Sequence, residues 1–179
     1  QTAVELGWDD EEIKLLRFAA ILHDIGKMAV PKKIINKPGL LDKHEYEIIK
    51  THPFVGYKIL TSIGCLDKVS TAVLQHHERI DGLGYPGGLR GDEIIPMARL
   101  LAVADSFDAM TSQRPYRKAM TFAQAFAELN NWADRQFDGA IVKVFCGVVQ
   151  KNFGRQRTRE DGMPQDKKYF SPHRKLGLP

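Results

Sequence analysis

Six side chains carry most of the chemistry this sequence offers: His23, Asp24, His52, His76, His77 and Asp105. Imidazoles and carboxylates together form a mixed nitrogen and oxygen donor set. Such a set suits first-row divalent ions, including iron, manganese and zinc, and argues against a thiolate site. These six donors exceed what a single tetrahedral zinc takes. Asp24 has two oxygens and is able to bridge, so a two-metal centre is the expected arrangement. Two adjacent metals can clamp a phosphate during in-line displacement. His76 and His77 are neighbours, about 100° apart if helical, so they can serve one ion or two adjacent ones.

Taken singly, each residue has a plainer explanation. Asp105 alone could be a hydrogen-bonding residue inside a helix, and His52 alone an N-cap. His23-Asp24 could simply satisfy the last carbonyls of a helix. Together the plain explanations weaken, because separate helices each contribute a ligand type. His44 is expected on a helix surface and His173 in the tail.

Lys27 lies four residues after His23, one helical turn away, and is expected beside the metals. Its role there is to donate a proton to a departing oxygen or to stabilise it. Its plainer role is a cation at a helix C-terminus. Arg114 and Arg117, around Pro115 and Tyr116, follow Asp105, and their guanidinium forks suit phosphate oxygens. A loop rich in glycine follows the histidine pair, with Gly82, Gly84, Gly87, Gly88 and Gly91. It is not a nucleotide fingerprint, since it follows a helix and lacks a Gly-Lys-Ser/Thr ending. Tyr85, between Gly84 and Pro86, is expected at the pocket rim, able to stack on a base. The alternative is a structural loop whose tyrosine packs down.

The elements that must position these residues read as helices. Gln1 to Leu6 looks like a last helical turn with Gly7 as its stop. Asp9 with Glu12, Asp42 with Glu45 and Thr121 with Gln124 form capping boxes. Ile13, Leu16, Ala20 and His23 share a face of a helix expected to end at Gly26. Pro31 to Leu40 is a connector, and a helix from the second capping box should run to about Lys50. Pro53 at a first helical position places His52 at the N-cap. Asp67 or Ser70 opens the helix that carries His76 and His77 to Glu78. Pro96 starts an apolar helix containing Asp105, and Asp138 caps a last one, Gly139 to Gln150. No β-alternation is long enough for a sheet. The fold class is therefore all-α, a single bundle of about six helices with a long glycine-rich loop.

Length and composition agree. The chain has 179 residues, with 43% apolar and 27% charged, enough for one domain with a substantial core. No apolar run is long enough to span a membrane, and Gln1 to Trp8 lacks the features of a secretory leader. Cys65 and Cys146 are expected as buried thiols in a reducing cytoplasm. The net charge of +4 belongs to the tail: residues 151–179 hold eight Lys/Arg against three Asp/Glu, so the tail carries +5 and the body −1. The tail lacks interleaved aromatics, so it is expected to be a solvated extension and nucleic acid is not an expected partner.

The motifs resemble a known family. His23-Asp24-Ile25-Gly26-Lys27, Thr51-His52-Pro53, His76-His77-Glu78, Asp81-Gly82-Leu83-Gly84-Tyr85-Pro86 and Ala104-Asp105-Ser106-Phe107-Asp108-Ala109-Met110 look like the HD-GYP domain, a branch of the HD phosphohydrolase superfamily. The Arg114-Pro115-Tyr116-Arg117 run is similar as well. The resemblance covers about residues 1–150, the expected catalytic domain, with 151–179 as a basic extension. It implies a bacterial phosphodiesterase acting on cyclic di-GMP and yielding pGpG and then GMP. It also implies two divalent metal ions, or three in trinuclear members, with iron or manganese preferred. The ligands it implies are His23, Asp24 as the bridge, His52, His76, His77 and Asp105. It makes Lys27 catalytic and places Lys27, Tyr85, Arg114 and Arg117 on the substrate. The Gly84-Tyr85-Pro86 loop would also meet diguanylate cyclase (GGDEF) domains.

One departure stands out. The family has an earlier helix with a further histidine ligand, and nothing before His23 matches it. The expectation is that this helix, and an upstream receiver or sensor domain, lie outside this sequence. Two alternatives accompany the main reading. The same apparatus could cleave 3′,3′-cyclic GMP-AMP, or the chain could be a catalytically impaired module that binds GGDEF or adaptor partners.

Overall fold

The computed structural model describes residues 1–64, 66–113 and 118–157, with side chains through residue 152. Most helix boundaries follow local chemistry. α1 (Thr2–Glu5) is a single turn that stops at Gly7, whose φ of 79° favours a residue without Cβ. α2 (Asp10–Leu22) starts at Asp9, which accepts from the Glu12 N–H at 2.7 Å while Glu12 accepts from the Asp9 N–H at 3.2 Å. A 3-10 turn, Ile25–Ala29, follows, then α3 (Lys32–Ile35) inside the expected connector. α4 (Lys43–Ile49) opens on the reciprocal Asp42 and Glu45 bonds, both 2.9 Å.

α5 (His52–Thr61) begins one residue earlier than expected: Thr51 is its N-cap and His52 its first residue, with Pro53 second. Proline is tolerated there because the first-turn N–H groups lack helical partners anyway. α6 (Asp67–Gln75) has Leu66 as N-cap and His76 as C-cap, so the histidine pair lies just past the helix rather than within it. A second 3-10 turn, Gly91–Glu93, leads into α7 (Pro96–Thr111). α8 (Phe122–Asn131) opens on the Thr121–Gln124 box, and α9 (Gly139–Arg157) on Asp138, which accepts from Ala140 and Ile141 N–H. α9 runs past Gln150, where the sequence reading ended it. No proline interrupts residues 151–157, and Lys, Gln and Arg there are good helix formers. Among the described residues there is no strand, only two isolated bridges, Asp81–Arg90 and Ala133–Phe137. No helix among the described residues is long and apolar enough to cross a membrane.

α7 stands between two parts of the core. Leu100 and Val103 face Leu129 of α8, Ile141, Val142 and Phe145 of α9, and Ala3 of α1. Met97 and Leu101 face Ala19 of α2, Leu60 of α5, and Val69 and Val73 of α6. Helical periodicity then fixes Asp105. Met97, Leu101 and Asp105 are spaced by four, so Asp105 continues the stripe that faces α2 and α6. The same logic buries His76, which extends the α6 stripe of Val69, Ala72 and Val73. His23 likewise follows Leu16 and Ala19 on α2.

Close backbone approach brings the remaining parts together. A Cβ on Gly26 would lie 2.0 Å from the His52 carbonyl oxygen and 2.6 Å from the Gly56 nitrogen. The 3-10 turn bearing Asp24 and Lys27 therefore rests directly on the start of α5.

Candidate metal centre

Three imidazoles are oriented by one repeated device. His23 Nδ1 donates to the Ala20 carbonyl at 2.8 Å, His52 Nδ1 to Ile49 at 2.8 Å, and His76 Nδ1 to Val73 at 2.6 Å. In each case the ring closes the last turn of a helix, satisfying a carbonyl that has no helical partner. A carbonyl only accepts, so each Nδ1 carries the hydrogen, and the neutral rings of His52 and His76 each present a bare Nε2. The plain explanation for His23, satisfying a carbonyl, is thus correct for one nitrogen, while its Nε2 faces the Asp24 and Asp105 carboxylates.

Those Nε2 atoms converge. His52 Nε2 and His76 Nε2 lie 3.4 Å apart. His77 completes the group: one donor atom from each of His52, His76 and His77 lies within 4.8 Å of the others. The ring centroids of His76 and His77 are 4.0 Å apart, and His23 meets His76 edge-on at 5.3 Å. Carboxylates join from two sides. Asp24 Oδ1 is 3.4 Å from His52 Nε2, and Asp24 Oδ2 is 3.6 Å from His23 Nε2. Asp105 Oδ1 is also 3.6 Å from His23 Nε2. Lys27 Nζ donates to Asp24 Oδ2 at 2.8 Å. His23, Asp24, Lys27, His52, His76, His77 and Asp105 therefore form one constellation. Arg114 and Arg117 lie outside the described residues, as do Cys65 and His173. Cys146 is a buried free thiol.

The donor set fits a divalent cation. Two lone pairs facing each other at 3.4 Å repel unless a cation lies between them or one ring takes a second proton. The second proton is disfavoured. Burial, aided by the Lys27 charge, pulls His52 down to about 4. Burial, with His52 and His23 nearby, pulls His76 down to about 3. His77 is lowered too, by burial and then by His76. His23 behaves differently. Burial works against its charge, but the Asp105 hydrogen bond and the Asp24 and Asp105 charges outweigh it and leave the ring raised.

A pH prediction follows for protein stripped of divalent metal. His52 and His76 ionise near 6.5 when unfolded and at about 4 and about 3 when folded. Below pH 6.5 the unfolded chain binds more protons at these sites, so stability is full above that value and falls on acidification. Between pH 7.5 and pH 5 each contributes a loss of about 2 kcal/mol. His23 opposes this, since its stabilisation is present below 6.5 and fades as pH rises through its raised folded value. Denaturant melts at the two pH values check the net loss.

The glycine loop is fastened to this centre by a residue the sequence reading left unassigned. Glu78 is 4% exposed. Its Oε1 accepts from the Gly87 N–H at 2.5 Å and its Oε2 from the Leu89 N–H at 3.0 Å. Tyr85 N–H donates to the His77 carbonyl at 3.1 Å. Gly84 passes so close that a Cβ would sit 2.4 Å from Arg79 N. Arg79 bonds Asp81 at 2.6 and 3.0 Å and Gln136 at 2.9 Å, and lies over the Trp132 ring. The only sequence signal of Glu78 was a carboxylate between the histidine pair and the glycines. Glu78→Ala should cost about 3 kcal/mol by stranding two loop N–H groups, and Glu78→Gln, which keeps one acceptor oxygen, should cost less. Chemical denaturation of both variants measures this.

Tyr85 differs from the expected base-stacking rim residue. Its ring packs down onto His77, centroids 4.9 Å apart, and the Lys50 ammonium stands 5.7 Å from the same ring. Its hydroxyl is buried. Burial first, then the nearby Tyr46, Asp105 and Asp24, push the phenol well above its usual value.

Comparisons with known proteins identify the family. A family model described as "HD domain" matches residues 1–141. The cyclic di-GMP phosphodiesterase response regulator RpfG of Xanthomonas campestris is 45% identical over 142 residues, 78% of this chain and 38% of its own length. A cyclic di-GMP phosphodiesterase of Thermotoga maritima is 41% identical over 151 residues, 83% of this chain and 41% of its own. The 3′3′-cGAMP-specific phosphodiesterase 3 of Vibrio cholerae is 42% identical over 125 residues, 70% of this chain and 27% of its own. The chain thus spans about two fifths of the first two relatives. Among solved structures, Bd1817, an HDG"Y"P protein from Bdellovibrio bacteriovorus, superposes with a TM-score of 0.68 at 23% identity, over 83% of this chain and 48% of that one. That likeness shows the shared fold. Fold, motif order and relatives converge: the chain belongs to the HD domain family, in its HD-GYP branch.

Proposed function

We propose that this chain is the catalytic domain of a metal-dependent phosphodiesterase that hydrolyses cyclic di-GMP to pGpG and GMP. The observation that carries this reading is the pair of bare Nε2 atoms of His52 and His76 facing each other at 3.4 Å. Names of curated relatives on both sides of the cyclic dinucleotide class support the substrate class.

His52, His76 and His77 would hold one divalent ion, and His23 with Asp105 a second, with Asp24 reaching both groups through its two oxygens. Iron or manganese fits the nitrogen and oxygen donors. Such ions, when bound, polarise the phosphoryl group and lower the barrier to attack by water. The protein's own groups do the rest. Asp24 orients the Lys27 ammonium at 2.8 Å, and Lys27 stands ready to stabilise or protonate the departing oxygen. We assign Arg114 and Arg117 to the substrate phosphates by the motif resemblance. The Gly84-Tyr85-Pro86 loop, with Leu83 exposed beside it, is our candidate surface for GGDEF-domain partners. The response-regulator relative supports a regulatory segment elsewhere in the polypeptide. The free Cys146 thiol is compatible with a reducing cytoplasm.

A second substrate is favoured by a specific observation: a relative named for 3′3′-cGAMP, at 42% identity, falls between two named for cyclic di-GMP, at 45% and 41%. The test is a panel of both cyclic dinucleotides with protein loaded with iron or manganese. Linear products from at least one are expected. No turnover of either by fully loaded protein would refute the reading.

A further inference from the structure

Lys50 closes α4 and stands two residues before His52. Tyr46 and Lys50 are four residues apart, so they share one face of that helix, and the face turns toward the glycine loop. Lys50 Nζ is 5.4 Å from the Tyr46 ring centre and 5.7 Å from the Tyr85 ring centre. The two rings meet edge-on at 6.5 Å, and Tyr85 in turn lies against His77 at 4.9 Å. The ammonium therefore stands at the edge of the centre, one aromatic layer away from an imidazole that belongs to it.

Its hydrogen-bonding capacity is underused there. An ammonium has three N–H donors and no acceptor. Among the described residues its oxygen partner is Glu47 Oε1 at 2.9 Å, and the Glu47 side chain is 55% exposed. The tyrosine faces attract the cation but leave its other donors without an oxygen. A lysine that served only the C-terminus of α4, or a surface ion pair, would need no fixed place beside two rings. The substrate class offers the missing acceptor. A cyclic dinucleotide carries two phosphodiester groups on opposite sides of one macrocycle. While one of them is engaged at the metals, the other lies to one side.

We propose that the Lys50 ammonium binds the second phosphodiester of the cyclic dinucleotide, the one not undergoing hydrolysis. Lys50 is then a substrate-binding residue that favours cyclic dinucleotides over molecules with a single phosphodiester. The inference deepens the cyclic dinucleotide reading above and rests on it. Glu47 has a defined part: it occupies the ammonium in the free protein and is released to water when the phosphate arrives. An exposed ion pair of this kind is weak, so the exchange costs little.

Metal-loaded wild-type protein, Lys50→Met, Lys50→Arg and Glu47→Gln are titrated calorimetrically with phosphorothioate analogues of cyclic di-GMP and 3′,3′-cGAMP. Linear GpG, which has two bases and one phosphodiester, is titrated beside them, with elemental analysis and thermal melts. Lys50→Met is expected to bind the cyclic analogues about 10-fold more weakly, the lower end for a hydrogen bond to a charged group because the site is partly exposed. Its affinity for GpG, its metal content and its melting temperature should match wild type. Lys50→Arg should restore most of the binding, and Glu47→Gln should tighten it about threefold. Equal affinity of Lys50→Met and wild type for the cyclic analogues overturns the inference. So does an equal loss on GpG, which would assign the ammonium to a base or to the reacting phosphate. A Lys50→Met protein that loses metal or melts lower, or a Glu47→Gln protein that binds more weakly, overturns it too, since Lys50 would then serve the packing of Tyr85. A wild-type protein that binds neither cyclic analogue overturns the cyclic dinucleotide reading, and this inference with it.

Discussion

Asp24→Ala is expected to reduce hydrolysis by on the order of 10³-fold or more, with loss of bound metal, because it removes a side chain that reaches both halves of the centre. Its Oδ1 faces His52 Nε2 at 3.4 Å and its Oδ2 faces His23 Nε2 at 3.6 Å. The same Oδ2 holds Lys27 at 2.8 Å, so the substitution also releases the ammonium assigned to the departing oxygen. Asp24→Asn separates charge from shape. It keeps the volume but loses the negative charge, and we expect it to resemble alanine in metal content. Elemental analysis alongside turnover checks both variants. Full turnover by either would remove Asp24 from the mechanism.

Gly26→Ala should be nearly as damaging, through the backbone. The added carbon would sit 2.0 Å from the His52 carbonyl oxygen and 2.6 Å from the Gly56 nitrogen. Backbone atoms cannot swing aside as a flexible side chain does. The turn bearing Asp24 and Lys27 must therefore separate from the start of α5. The expected cost is about 3 kcal/mol, a fall of roughly 10 °C in melting temperature. Because that separation parts Asp24 from His52, metal binding should weaken even at temperatures where the variant is folded. A melt and a metal titration at low temperature check the two effects independently. Wild-type values in both would mean that the contact is not tight in solution.

Much of this was legible in the sequence where the cause is local. The capping boxes at Asp9, Asp42 and Thr121 start helices as read, because both partners lie within four residues. Met97, Leu101 and Asp105 are spaced by four, which sets the carboxylate on one face with two apolar residues, but that this face meets α2 and α6 is seen only in the packing. His23 and His76 lie at the ends of apolar stripes for the same reason. Short elements without a full period escaped notice, including α3 and the 3-10 turn at Ile25–Ala29. That turn matters, since it sets Asp24 and Lys27 on α5. Non-local contacts were not legible either. Nothing near Glu78 in sequence says that its carboxylate will tie Gly87 and Leu89. Nothing near Tyr85 says that Tyr46 of α4, and Lys50 just past its end, will stand against its ring. A ring's free surface is decided by such neighbours, which lie some forty residues away in the sequence.

Side chains just past the ends of α2 and α6, at the start of α5 and on α7 are expected to enclose a shared pair of cations. Anomalous diffraction from crystals of protein prepared with iron or manganese addresses it most directly. Two peaks about 4 Å apart are predicted, one against His52, His76 and His77 and the other against His23 and Asp105, with Asp24 between them. No peak among these residues, or peaks only at sites elsewhere on the molecule, would contradict it.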